Sequence, residues 1–414
     1  MGPLEGLRVV ELAHCHVQFA GRLLADLGAD VVVVEPPGGH ESRRYEPFAD
    51  DRPGNETSLW WWHHNVSKRG VVVDLDDPAD RVRLAALVAD ADVLLEGEAP
   101  GRVAALLGEL PERLIHVAVT PYGQDGDYPA TVDLTVLAAG GPVWSCGYDD
   151  HELPPVRGGG NQGYQTGCHY AVMALLTALL ARDVTGRGQF VDVNMHAAAN
   201  VTTEFASYTW LAARQTVQRQ TGRHATVHPS EPTQVQCADG RWLNTGVPPR
   251  TGREFVALGS WIDELGLTDG FEELGVLQLG YDIEYIAVLN LADNPLHAEV
   301  FGAGRAAIEY LAQSLPAHDL FMGLQRRGMA CGVVYSPEDV LVDEHFVARG
   351  FPTMLRHDDG REVTYTGSPL RFAGTPCGPR RQAPALGQHD DEVRRGGTWG
   401  VRSGAVPDDR SDPR

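Results

Sequence analysis

The stretch RVVELAHCHVQFAGRLLADLGADVVVVEPP, residues 8–37, decides the fold. Residues 8–12 are a β-branched run, residues 19–27 repeat apolar side chains at helical spacing, and residues 30–35 form a second apolar run. Gly28 suits the left-handed backbone that ends helices, and Pro36-Pro37 stops the second run. The reading is a β-α-β unit. The alternation continues outward, with a strand at 70–75, a helix over 78–90 opened by Asp77-Pro78, and strands at 92–95 and 114–120. Strands alternating with helices over about the first 130 residues predict an α/β fold with a Rossmann-like, doubly wound parallel sheet. No G-x-G-x-x-G follows the first strand, where HCHVQFAG stands instead, so neither NAD nor FAD is expected.

Farther along, residues 164–182 read as a long helix that is apolar nearly all round, which predicts deep burial, followed by a TGRGQ turn and a strand at 190–193. The polar passage 215–228 reads as a domain boundary. Beyond it come a hairpin over 236–247 turning at Asp239-Gly240, helices at 253–265 and 304–315, and strands at 332–335, 353–357 and 362–365. The expected organisation is a large α/β domain from 1–214 with 332–400, a smaller α+β middle domain over 215–331, and a disordered polar tail at 401–414.

With 34 Lys+Arg against 56 Asp+Glu, the 414-residue chain carries a formal charge of −22, which opposes attraction to nucleic acid or to an anionic membrane surface. An anionic ligand would need basic residues gathered locally. The six cysteines show no CxxC spacing and suit free thiols. With no secretory pattern at the N-terminus, a cytoplasmic location is expected. The Lys-poor composition suggests a bacterial source.

The blocks PLEGLRVVEL, LLADLGADVVVVEPPGG, SLWWWHHNVSKRGVVVDLDDP, TPYGQDGDYP, TGRGQFVDVNMH and RRGMACGVVYSPEDVLVDEHFVARGF occur in an order that resembles the class III CoA-transferases, the family of formyl-CoA transferase, carnitine CoA-transferase and α-methylacyl-CoA racemase. The resemblance implies two interlocked chains, coenzyme A as the carried moiety of an acyl-CoA substrate, and a carboxylic acid as its acceptor. It also implies an aspartate that attacks the thioester by covalent catalysis. Counting back from Gly167 puts Gly163 at that position, and glycine has no side chain to acylate. The family's racemases use a histidine before an aspartate; here that pair reads Val132-Asp133, and Asp133 is expected to cap the helix that follows.

The residues offer other candidates. His14 and His16, at the end of the first strand, are the general-base candidates, while a metal reading of His-Cys-His lacks a placed third ligand, so no metal is expected. Gly159 and Gly160 leave backbone N–H groups open to a thioester oxygen, and Asn161, Gln162 and Tyr164 flank the vacant position as acyl-binding candidates. For the phosphates of CoA, Asn65, Lys68 and Arg69 keep the family's Asn-Lys-Arg block, and Arg43-Arg44 follow a Gly-Gly; solvated surface charge is the competing reading. Pro36, Asp76, Gly97-Glu98 and Ala105 depart from the family's CoA positions. Three functions follow: an acyl-CoA enzyme with a non-standard mechanism, a catalytically silent subunit paired with an aspartate-bearing paralogue, or an isomerase, racemase or lyase using His14 and His16.

Overall fold

The computed structural model describes residues 2–126, 131–203, 206–246 and 248–394, and the tail expected at 401–414 lies outside them. The chain divides into two compact units, one of Met1–Cys146, Pro155–Thr216 and Leu341–Arg414, the other of Gly147–Pro154 and Val217–Val340.

The first unit is built on six parallel strands, β1 (Arg8–Leu12), β2 (Asp30–Glu35), β3 (Arg69–Val72), β4 (Val93–Glu96), β5 (Ile115–Thr120) and β6 (Phe190–Asn194), in the order β3-β2-β1-β4-β5-β6. Runs such as DVVVVE form central strands because a parallel sheet is covered on both faces and buries successive side chains. On one face Val9, Val31, Val93 and Val117 pack against Leu24 of α1 (Gln18–Asp26). On the other, Val10, Val32, Val71 and Leu94 meet α3 (Pro78–Ala89), which brings Leu84, Leu87 and Val88 to that core, while Trp61 of α2 (Leu59–Asn65) packs with Ala13 and Val33. From β1 the chain builds outward through β2 to β3 on one side, then crosses back from β3 to β4 on the other side of β1. The carboxyl ends of β1 and β4 therefore flank the point where strand order reverses, where open α/β sheets bind ligands.

After α4 (Arg102–Leu107) come α5 (Asp133–Gly140) and α6 (Gln162–Thr185). The expectation that the long helix is buried all round is corrected. Cys168, Ala171, Leu175 and Ala178 form a stripe on the sheet, but Leu180 and Val184 are 69% and 88% exposed. The small residues at three- and four-residue spacing bring the helix close to the sheet and bury one face, leaving the other apolar face uncovered in the single chain. By length and composition α6 could also cross a membrane, but its stripe belongs to the sheet core.

The second unit has a three-stranded antiparallel sheet in the order Cys331–Val333, Trp242–Thr245, Gln234–Gln236. Its core gathers Leu243, Phe255, Trp261, Val300, Leu311 and Leu320 from that sheet and the helices Gly252–Glu264, Pro295–Ser314 and Ala317–Arg326. The helix expected at 304–315 starts at Pro295 instead, capped by the Asn294 side chain. Gly304, which reads as a start signal, is an interior close-approach position, where a Cβ would come 2.9 Å from Phe255.

Candidate functional site

The parallel register sets Glu11 beside Leu95, which carries the residues after β1 alongside those after β4. His14 accordingly lies over Gly97. A Cβ on Gly97 would come 2.7 Å from His14 Nδ1, so this glycine forms the seat of the imidazole. Nδ1 of His14 accepts the His16 backbone N–H at 3.2 Å and lies 3.9 Å from Cys15 Sγ. The His14 and His16 ring centroids are 4.2 Å apart, and His16 meets the Tyr164 ring edge-on at 4.9 Å. Tyr164 also acts electrostatically on the Cys15 thiol, pulling its pKa down against burial.

Burial sets the protonation of this group. It lowers His14 to about 4 against the opposing pull of Glu41, and lowers His16 to about 2 with help from His14. Burial also raises the Cys15 thiol to about 12. Both imidazoles are neutral near pH 7, and the thiol keeps its proton. Bases this weak are poorly matched to proton abstraction at neutral pH. His16 is 7% exposed, and its Nδ1 finds no hydrogen-bond partner among the described residues.

Gly163, buried in the first turn of α6, lies close to Asp133. A Cβ there would come 3.1 Å from Asp133 Oδ1, 3.2 Å from Val136 and 3.3 Å from Leu137. Asp133 is the first residue of α5, yet its Oδ1 accepts the Tyr164 N–H at 3.0 Å, so its carboxylate caps α6 rather than its own helix. Burial raises its pKa, while the N–H groups of Tyr164 and Gly163 and the Arg157 guanidinium pull it down. Arg157 Nη1 also donates to the carbonyls of Gly158, at 3.2 Å, and Gly160. The glycine loop is thus tied to a cation. Gly159 and Gly160 have open space where a side chain would stand, and Gly160 has φ +73°. Asn161 precedes α6 without capping it through its side chain, and Gln162, the first residue of the helix, folds its amide over Gly158.

Four of the residues expected at the CoA phosphates spend their donors inside the fold. Lys68 Nζ donates to Glu11 at 2.9 and 2.8 Å, to the Gln18 carbonyl at 2.8 Å and to Asn65 Oδ1 at 2.9 Å. Arg43 forks onto Glu35 at 2.7 and 2.8 Å, donates to the Pro384 carbonyl at 3.0 Å, and lies 3.9 Å over the Trp61 ring. Arg69 forks onto Asp30 at 2.9 and 2.7 Å. Asn65, Lys68 and Arg43 are fully buried, so the sequence expectation is corrected to a structural role for these three. Arg44, next in the chain, is exposed. The structure therefore brings His14, His16 and Tyr164 together, with Gly163 adjoining Tyr164, and holds Arg43, Asn65, Lys68 and Arg69 in ionic clusters. Sequence reasoning missed Arg157, Cys15 as a neighbour of Tyr164, and Gly97 as the seat of His14. Only the β1–β4 pairing, which no short motif encodes, could have signalled the last.

Comparison with known proteins agrees with this architecture. The chain is 30% identical over 399 residues to subunit BbsE of succinyl-CoA:(R)-benzylsuccinate CoA-transferase from Thauera aromatica, covering 93% of this chain and 92% of that one. It is 28% identical over 403 residues to succinyl-CoA–D-citramalate CoA-transferase from Chloroflexus aurantiacus, covering 94% and 93%. A crystal structure of a CAIB/BAIF family protein from Brucella suis shares the fold, with a TM-score of 0.75 at 23% identity over 96% of this chain and all of the other. The model of CoA-transferase family III matches residues 4–263 and 284–390. The chain belongs to CoA-transferase family III and is a CoA-transferase-like enzyme.

Proposed function

We propose that this protein holds an acyl-CoA thioester over the start of α6 and takes part in moving CoA to a carboxylic acid without supplying the covalent carboxylate itself. The aspartate would come from a second family member interlocked with it. The observation that carries this reading is Gly163. It has no side chain, and the nearest carboxylate among the described residues, Asp133, is occupied in capping α6. Covalent acyl transfer needs a carboxylate free to reach the thioester carbonyl. On this reading Gly159, Gly160, Asn161, Gln162 and Tyr164 face the acyl group, and exposed Arg44 meets a phosphate.

Two further facts support a partner. One relative is itself named as a subunit, and the apolar outer face of α6 is uncovered in the single chain. A solitary enzyme using His14 and His16 for proton transfer is disfavoured by the low basicity of both imidazoles. The test incubates the purified chain, alone and with an aspartate-bearing family chain, with succinyl-CoA and a carboxylate acceptor, and follows CoA-ester exchange by mass spectrometry. Exchange only in the pair is expected. Turnover by the chain alone that disappears in His16→Ala would overturn the proposal in favour of histidine chemistry.

A further inference from the structure

We propose that His14, Cys15 and His16 form a binding site for a thiophilic divalent metal ion of the zinc type at the carboxyl end of β1. The sequence offers two imidazoles without a third ligand; the folded turn supplies it. One donor atom from each of the three residues lies within 4.8 Å of the others. Zinc takes histidine nitrogen at about 2.0–2.1 Å and cysteine sulfur at about 2.3 Å in a tetrahedral shell, so bound donors stand about 3.5 Å apart. Side-chain rotations of about 1 Å would close the group around an ion.

A second observation is independent of that spacing. His16 is 7% exposed, and its Nδ1 is a buried polar atom with no partner among the described residues. An unmet buried polar atom is unfavourable, and coordination through Nδ1 would satisfy it. Binding would displace the Cys15 thiol proton to solvent as the sulfur–metal bond forms. Negative charge from Glu41 acts on both His14 and Cys15 and adds to the attraction.

Three protein ligands leave one tetrahedral position open, as in catalytic rather than structural zinc sites. Tyr164, whose ring lies 4.9 Å from that of His16, places the cluster beside the start of α6. Use of that position by the CoA sulfur rests on the thioester reading above; the metal site itself does not.

The full-length chain, stripped with chelator and titrated with Co²⁺, tests the site without any CoA ligand. About one equivalent should bind with a thiolate-to-cobalt charge-transfer band that Zn²⁺ displaces. Cys15→Ser should abolish the band, His16→Ala should weaken binding at least tenfold, and Cys146→Ser, an exposed thiol elsewhere, should leave the band unchanged. No charge-transfer band in the wild-type chain, or one of equal intensity in Cys15→Ser, would overturn the proposal, and the wild-type spectrum decides this even where a variant fails to fold.

Discussion

Under β1 and β2, Glu11 meets Lys68 and Glu35 meets Arg43, with all four side chains fully buried and each cation also bonded to backbone carbonyls. At the carboxyl ends of β1 and β4, a few residues away, polar groups keep spare capacity: a His16 nitrogen with no partner among the described residues and a protonated Cys15 thiol, with Gly163 of α6 close by. Both regions are polar and enclosed, but they answer to different demands. A charge removed from water must be matched by its partner, so the first region is a structural layer. The second has donors and space that its own fold does not use, as a ligand site requires.

The largest effect should come from breaking the ionic layer. Glu11→Ala leaves the Lys68 ammonium buried without its carboxylate and should cost about 3–5 kcal/mol by denaturant titration. A loss under about 1 kcal/mol would mean that the layer is no more structural than a surface pair. Next in size is Gly163→Asp. Its Cβ would crowd Asp133, Val136 and Leu137, and its charge would oppose the Asp133 carboxylate, so a loss of about 1–3 kcal/mol is expected. Adding Asp133→Asn should recover part of it, and the Gly163→Asp chain should gain a hydroxylamine-trappable acyl adduct from acyl-CoA.

Gly97→Ala sharpens the comparison from the other side. Displacing His14 from its seat should lower stability by about 1 kcal/mol or slightly more, visible as a small drop in thermal midpoint. The smallest effect on folding belongs to Arg44→Ala, within about 0.5 kcal/mol, since the side chain is exposed. Calorimetry with CoA should nonetheless show severalfold weaker binding for that variant. Equal CoA affinity in Arg44→Ala and wild type would remove Arg44 from the proposed site.

Much of the sheet was readable because its signal is local. Runs such as DVVVVE with Pro36-Pro37 behind them mark strands whether or not their neighbours are known, and β1, β2 and the 78–90 helix fall within a residue or two of expectation. The basic residues were not readable in the same way. Lys68 in NVSKR looks the same in sequence whether it faces a phosphate or a buried Glu11, and Glu11 lies 57 positions away. The role of Gly21 was equally hidden. A Cβ there would fall 1.6 Å from Glu11 Oε2, so this glycine makes room for the buried carboxylate. The family's spacing singles out Gly163 in the sequence, but the carboxylate beside it, from Asp133 thirty residues earlier, was not legible there. The apolar composition of α6 indicated burial without distinguishing the sheet from an uncovered outer face.

The most direct test of the central claim is intact-mass spectrometry of the chain alone after incubation with succinyl-CoA, alongside calorimetry of CoA binding. The account predicts reversible CoA binding and no covalent acyl or CoA adduct on a carboxylate of the wild-type chain. An adduct mapped to Asp133 or another acid would contradict it, because the chain would then carry its own nucleophile.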